Sequence, residues 1–398
     1  MTPEIKKFIA DHAQDDVKKL ALQAARFQHI DMPFVLRQIT GMQKIKNKIP
    51  AFYEHTEILY PAQLSLEQSS SESTAKYKSE LCEGETFADL TGGFGIDCYF
   101  ISRKFSQSTY VERNTELCQI AINNFEVLGV KNITVINKQS EDFLAEMPAV
   151  DCIFIDPARR GVAGNKVVHL SDCEPDVALL HDLLLQKADQ VLIKLSPILD
   201  ISLALKDLVQ TKEVHIVSVD NECKEILFLL NRSENKNLII KTININKQSD
   251  FHRFDYPFSK ETTTLATPAK AIQAYLYEPN SSIMKSGAFN LVSTEFGIDK
   301  LHKNTHLYTS DRLISHFPGR IFLVEKVSGS TKQEIRKLQK TVSKANIAVR
   351  NYPLSVEEFR KKTGIKDGGD HYIFACKTAN DTNSIIQCRR INAEAGRL

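Results

Sequence analysis

Between Thr86 and Leu230, seven short apolar runs alternate with stretches of helical spacing, and nothing else in the chain constrains the fold as tightly. The runs are Thr86–Leu90, Thr109–Glu112, Ile133–Ile136, Cys152–Ile155, Val191–Leu195, Val214–Val219 and Ile226–Leu230. Each is too short for a core helix, and the segments between the earlier ones, such as Glu116–Leu128 and Asp176–Lys187, have the length and period of crossover helices. Strand–helix–strand units close by laying helices over both faces of a mostly parallel sheet. The expectation is therefore an α/β, Rossmann-like, doubly wound sheet of seven strands. The last two runs are joined through Asp220–Lys224, too short for a helix, so they are expected to form an antiparallel hairpin at one edge.

The flanks read differently. Residues 1–76 have helical spacing at Ile5, Phe8 and Ile9 and again at Leu20, Leu22 and Ala25. Ser69 followed by Glu72 reads as a capping box opening a helix through Leu81. Polar stretches at Arg232–Asn237 and Lys247–Thr264 mark a boundary, residues 265–320 suggest short strands with one helix, and strand and helix alternate again from Ile321. The expected organisation is a helical unit 1–76, an α/β domain 77–235, a small α+β domain 236–320 and a basic α/β domain 321–398. Net charge is only +2, but it is unevenly placed. Glu80–Arg232 holds 14 Lys/Arg against 24 Asp/Glu, and Arg320–Lys377 holds 13 against 6. In the basic segment Ile335, Leu338, Val342 and Ala345 share one helix face, leaving Lys332, Arg336, Lys337, Lys340 and Lys344 to solvent or to a polyanion. The eight cysteines form no CxxC and sit mostly in apolar runs, so they read as reduced core thiols with no metal site. No apolar stretch approaches the roughly 18 residues of a membrane span, and residues 1–7 carry no signal-peptide core, which suggests a cytoplasmic protein.

The first strand runs into Asp89-Leu90-Thr91-Gly92-Gly93-Phe94-Gly95-Ile96-Asp97, an acid followed by a glycine-rich turn and a helix. Glycines there let a ligand approach the backbone. Cys98 stands where the dinucleotide fingerprint needs its third glycine, and Asp89 would repel a pyrophosphate. S-adenosylmethionine, with a sulfonium and an ammonium, suits the acid better. The second strand ends in Glu112, placed to accept from both ribose hydroxyls. After the third strand, Gln139 and Ser140 are placed to meet the adenine edge. The fourth strand ends in Asp156-Pro157-Ala158-Arg159-Arg160, beside the first strand's end in this topology. Asp156 there is either a reaction group or the cap of a following helix, and Arg159 and Arg160 either bind substrate phosphates or pair with nearby acids. Lys194, closing the fifth strand in Lys194-Leu195-Ser196-Pro197, is a further candidate for substrate contact.

Across residues 80–232 the arrangement resembles the class I S-adenosylmethionine-dependent methyltransferases. The resemblance implies that Asp89, Gly93 and Gly95 contact the methionine end and Glu112 the ribose. Thr91 replaces a frequent glycine, and Gln139 replaces a frequent adenine-binding aspartate. Asp156-Pro157 resembles the Asp-Pro-Pro-aromatic motif of methyltransferases acting on exocyclic base amines, where the carboxylate and a proline carbonyl hold the amine toward the methyl group. Here Ala158-Arg159 replaces Pro-aromatic, so a stacking ring would have to come from Phe94, Phe100 or elsewhere. With the Gln68–Ala75 helix opening, Arg350-Asn351-Tyr352-Pro353 and Lys366-Asp367-Gly368-Gly369-Asp370, nearly the whole chain resembles bacterial methyltransferases that carry a ferredoxin-like module and a THUMP-like domain. More distantly, the catalytic part resembles RNA guanine-N2 methyltransferases. The implied function is methylation of a base amine in tRNA or rRNA, with the basic segment on phosphates. A small-molecule or protein acceptor, or a catalytically silent RNA-binding protein, are the alternatives.

Overall fold

The computed structural model describes residues 1–159, 169–233, 237–246 and 251–391. The chain divides into two compact units, Met1–His215 with Glu225–Lys236, and Ile216–Lys224 with Asn237–Leu398.

The first unit opens with six helices: α1 (Pro3–Asp11), α2 (Val17–Leu22), α3 (Met32–Ile45), α4 (Pro50–Tyr53), α5 (Gln63–Gln68) and α6 (Glu72–Ser79). Ile9, Leu20, Ile30, Met32, Val35 and Ile39 form their shared core. Leu22 does not join it: six-residue α2 buries only Leu20 and leaves Leu22 87% exposed. The expected capping box at Ser69 is also corrected. Ser69 ends α5, its hydroxyl donating to the Leu66 carbonyl at 2.9 Å, and Ser71 caps α6 by accepting from Thr74 N. Glu72 is drawn instead to the Ala51 amide at 2.8 Å and to Lys76 at 2.6 Å.

Seven strands follow: β1 (Thr86–Asp89), β2 (Gln107–Glu112), β3 (Ile133–Asn137), β4 (Val150–Ile155), β5 (Ala188–Leu195), β6 (Thr211–Val219) and β7 (Glu222–Asn231). Their order in the sheet is β3-β2-β1-β4-β5-β7-β6. The pairs β3–β2, β2–β1, β1–β4 and β4–β5 are parallel, and β5–β7 is antiparallel. Helices α7 (Ile96–Ser102), α8 (Thr115–Val127), α9 (Ser140–Glu146), α10 (Val177–Lys187) and α11 (Ile201–Asp207) fill the connections. This is the doubly wound α/β sheet expected. The central strands read as unbroken apolar runs because helices cover both faces, and β4 and β5 bury Cys152–Ile155 and Val191–Ile193 completely. Strand order reverses between β1 and β4, so a crevice opens at their carboxyl ends.

The second unit begins at the tip of the β6–β7 hairpin, where Asp220 and Asn221 both take positive φ (48° and 66°), as a two-residue turn with matching twist requires. The Ile216–Val219 half of β6 is flanked by β8 (Ile239–Ile245) and then β9 (Phe251–Pro257), so the hairpin expected at an edge is not the last pair. The Asp220 amide donates to the Ile245 carbonyl at 2.9 Å. Next come α12 (Phe258–Thr263), β10 (Tyr275–Pro279), α13 (Ser281–Ser286), α14 (Leu291–Phe296) and β11 (Tyr308–Ser310), with more than the one helix expected. The chain ends in β12 (Gly319–Gly329), α15 (Lys332–Thr341), β13 (Lys344–Arg350), α16 (Val356–Thr363), β14 (Lys366–Lys377) and β15 (Asn383–Ile391). One sheet runs Asp299–Lys300, β11, β10, β12, β15, β14, β13. Ile335, Leu338, Val342 and Ala345 all lie in its core with Phe359 and Ile373, while Lys332, Arg336, Lys337, Lys340 and Lys344 are exposed. Capping boxes at Thr331/Glu334 and Ser355/Glu358 start α15 and α16. None of the eight cysteines is in a disulfide; seven are buried, and Cys223 is half-buried. No helix of the described residues is long and apolar enough to cross a membrane.

Candidate active site

The site grows from the turn between β1 and α7. Gly92 N donates to the Val111 carbonyl at 2.8 Å, Gly93 N to Glu112 Oε2 at 3.0 Å, and Tyr110 OH to the Gly93 carbonyl at 2.6 Å. Gly93 and Gly95 take φ of +55° and +84°, where a side chain is strained. A Cβ on Gly93 would meet nothing nearer than the Thr91 carbonyl at 3.8 Å, so the turn is open at that point. Glu112 Oε1 also accepts from Asn114 N at 2.8 Å, so both oxygens of the β2 acid are tied to neighbouring backbone amides.

Asp89 lies under the turn, 1% exposed, with Oδ1 accepting from Thr91 N at 3.0 Å. Burial pushes its carboxyl well above the usual range. The Thr91 amide pulls against that, and the carboxylates of Asp97, Asp156 and Glu112 add to it. A ligand would therefore meet Thr91–Gly93 and Glu112 before Asp89. Ser140 Oγ donates to the Leu90 carbonyl at 2.6 Å, bringing the start of α9 to the β1 end, and Gln139 stands exposed beside it.

The β4 end joins the same crevice. Asp156 N donates to Thr91 Oγ1 at 2.6 Å, which ties the glycine turn to the Asp-Pro corner. Lys194 donates to Asp156 Oδ2. Burial alone would lower the Lys194 ammonium, but the carboxylates of Asp156, Asp97 and Glu225 outweigh it and hold it above its ordinary value. Pro157 is buried beside Asp156. Arg159 is placed through its backbone, where Ala158–Arg159 pairs with Cys173–Glu174; its side chain and the whole of Arg160 lie outside the described residues. Phe94 and Phe100, the rings offered for stacking, are each 4% exposed. Phe94 packs edge-on to Phe52, and Phe100 lies against Tyr99.

Lys78, Asp97 and Glu225 join this cluster, though the sequence reading gave them no role. Lys78 of α6 is fully buried, its Nζ 2.7 Å from both Glu225 carboxylate oxygens, 3.1 Å from Ser70 Oγ and 3.2 Å from Asp97 Oδ1. Asp97 Oδ2 accepts from Ser70 Oγ at 2.7 Å. Burial raises Glu225, which Lys78 and Lys194 oppose. The available signal was a charge set against an apolar run, Glu225 before Ile226–Leu230 and Lys78 beside Ala75 and Tyr77. Lys78 thus pairs with Asp97 and Glu225 and Lys194 with Asp156, while Asp89 and Glu112 add two further carboxyls. An open glycine turn in an acid-rich crevice has the shape and charge to suit a cationic ligand such as S-adenosylmethionine.

Comparison with known proteins gives three family matches. Residues 73–170 match conserved hypothetical protein 95, residues 275–318 a ferredoxin-like domain, and residues 319–390 a THUMP domain-like family. A crystal structure of a "putative methyltransferase" from Porphyromonas gingivalis W83 is 31% identical, covers 98% of each chain and superposes with a TM-score of 0.87. An rRNA methylase from Streptococcus thermophilus is 11% identical over 41% of this chain and 95% of its own, with a TM-score of 0.31. TrmK of M. capricolum with S-adenosyl-homocysteine is 15% identical over 40% and 68%, with a TM-score of 0.32. At those scores neither carries an argument. No curated protein matches the sequence.

Proposed function

The chain belongs to the bacterial methyltransferases in which a class I catalytic domain is joined to a THUMP-like domain, and on that premise we propose that it transfers a methyl group from S-adenosylmethionine to structured RNA, tRNA or rRNA, in the cytoplasm. The observation that carries this reading is the 2.6 Å bond from Asp156 N to Thr91 Oγ1, which sets the reaction corner directly against the proposed cofactor turn. When bound, the cofactor supplies a methyl group on a positively charged sulfur. The protein's part is positioning: Gly93 and Glu112 hold the nucleoside and methionine portions, Gln139 and Ser140 face the adenine, and Asp156 with Pro157 receives the acceptor. The sequence motif suggests a base amine there, donating to Asp156 Oδ1 and the Pro157 carbonyl. Arg159 and Arg160 are assigned to substrate phosphates.

The test is transfer of radiolabelled methyl to RNA lacking native modifications, with Glu112→Ala as control. Label in RNA that the variant fails to deposit supports the reading. Label in protein or small molecules instead would move the acceptor class, and cofactor binding without any transfer would point to a silent RNA-binding protein.

The RNA assignment also rests on α15, whose Lys332, Arg336 and Lys340 follow one another at i, i+4 spacing on its exposed face. Neutralising phosphates releases counterions, so affinity should fall steeply from about 50 to 200 mM salt. Replacing all three with Gln should flatten the log–log salt slope by up to about 3, near 1 per lost phosphate contact. A slope unchanged in filter-binding titrations would remove α15 from the interface.

A further inference from the structure

Four charged side chains from four separate elements meet at the carboxyl end of the first unit's sheet: Lys78 of α6, Asp156 after β4, Lys194 of β5 and Glu225 of β7. Lys194 pairs with Asp156, Lys78 chelates Glu225, and the fields of Glu225 and Asp97 reach Lys194. Burying two ammonium groups and their carboxylates contributes little to stability, since apolar side chains of similar size serve a core as well or better. Perturbed charges gathered in a ligand crevice are instead a frequent mark of chemistry.

We propose that the methyl acceptor is a ribose 2′-hydroxyl of RNA and that Lys194 is the group that takes the hydroxyl proton. The proposal rests on the RNA methyltransferase reading and concerns only the acceptor.

An amine and a hydroxyl ask opposite things of a site. A base amine attacks with its own lone pair and sheds a proton afterwards; it needs hydrogen-bond acceptors, and its base must leave the stack and be held by a ring. Here Lys194 occupies Asp156 Oδ2, leaving Oδ1 for an acceptor, and the rings that would hold an extruded base, Phe94 and Phe100, are packed away. A ribose hydroxyl is a poor nucleophile until it loses its proton, so it needs a general base. It also lies on the backbone, where no base has to be extruded. Lys194 is half-buried at the reaction corner, with its Nζ on Asp156 and a second carboxylate layer, Glu225 and Asp97, behind it. Lys78 pairs with both carboxylates of that layer, and Asp156 is the one that Lys194 itself bonds.

In the resting protein Lys194 is charged, because the carboxylates around it outweigh burial. A positive charge seated against Asp156 would offset the largest of those fields, leaving burial to favour the neutral amine, and Lys194 would give its proton to solvent. The neutral Nζ lone pair then takes the 2′-O–H proton as the oxygen bonds to the methyl carbon. The carbon–sulfur bond breaks with its electron pair kept by sulfur, and the new ammonium returns to Asp156. Lys194 is catalytic in this scheme; Lys78 and Glu225 are positioning residues.

The test locates the label in RNA methylated by the full chain. After alkaline hydrolysis a 2′-O-methyl blocks cleavage, so label is expected in alkali-stable dinucleotides. An oligonucleotide carrying a single 2′-deoxy sugar at the mapped nucleotide should take no label. Lys194→Met should lower transfer by about 10²-fold or more, the usual share of a general base, while calorimetric binding of S-adenosylhomocysteine persists. Label in mononucleotides, retained on the deoxy substrate, overturns the hydroxyl proposal and leaves the RNA methyltransferase reading intact. No label in any RNA overturns that reading, and the proposal with it.

Discussion

Lys78→Met is expected to lower the thermal midpoint on the order of 10 °C at neutral pH, with the deficit shrinking toward pH 4. The side chain is fully buried and its ammonium touches Glu225 at 2.7 Å and Asp97 at 3.2 Å. Removing one member of a buried ionic cluster leaves the others uncompensated, at about 3–5 kcal/mol, which for a unit of this size is roughly 10 °C. The pH dependence follows from Glu225, whose carboxyl burial already raises against the opposing pull of Lys78 and Lys194. Without Lys78, burial acts less opposed and the folded-state pKa climbs further above the unfolded value of about 4.3. An acid raised by folding favours the folded state below its unfolded pKa, and that contribution is lost as pH rises through the folded value. The variant should thus be nearest to wild type in acid and furthest from it at pH 7. Adding Glu225→Leu should recover much of the loss, because the stranded charge goes with it. Melting curves of the three proteins between pH 4 and 8 decide the matter. A single variant as stable as wild type at pH 7 would mean that the cluster carries no net electrostatic weight.

What the sequence made legible was local. The β1 turn is visible because an acid, three glycines and an apolar strand lie within ten residues, and the α15 face is visible because its period repeats within ten. Boundaries decided by distant partners were not. Ser69, Ser70 and Ser71 are interchangeable as caps by composition, and the choice falls to Ser71 because Ser69 turns back to Leu66 while the Ala51 amide claims Glu72. Leu22 fits the helical period yet faces solvent, because α2 ends before a second turn can pack. The charged cluster is less legible still: Lys78 and Glu225 are 147 residues apart, and only the folded sheet makes them neighbours. Lys194 shows the intermediate case. Its place at a strand end marked it as a candidate, but that it sits on Asp156 rather than facing substrate alone is a tertiary fact.

Gly92→Ala and Gly93→Ala, one residue apart, should fail in different ways. A Cβ on Gly92 would stand 2.1 Å from Tyr110 Cε2 and 2.4 Å from Cζ. Tyr110 cannot give way, because its ring is fully buried, packed edge-on to Phe125, and anchored by its hydroxyl to the Gly93 carbonyl. The backbone must move instead, which breaks the Gly92–Val111 and Gly93–Glu112 hydrogen bonds that shape the turn. Overpacking of this kind costs about 1–3 kcal/mol. The displaced turn should weaken S-adenosylhomocysteine binding by about 10–100-fold, the equivalent of roughly 1.4–2.8 kcal/mol. Gly93→Ala meets no such wall, since its nearest neighbour is 3.8 Å away. It carries only the strain of a positive φ, about 1–2 kcal/mol. Its turn keeps its shape, and the added methyl stands in the opening that the cofactor reading fills. Affinity should therefore fall while the unliganded protein melts only a few degrees below wild type, as about 1–2 kcal/mol of strain implies. Calorimetry and melting curves with and without S-adenosylhomocysteine separate the two. A Gly93→Ala protein that binds as tightly as wild type would place the ligand away from this turn, and would remove Glu112, which Gly93 holds, from the ribose with it.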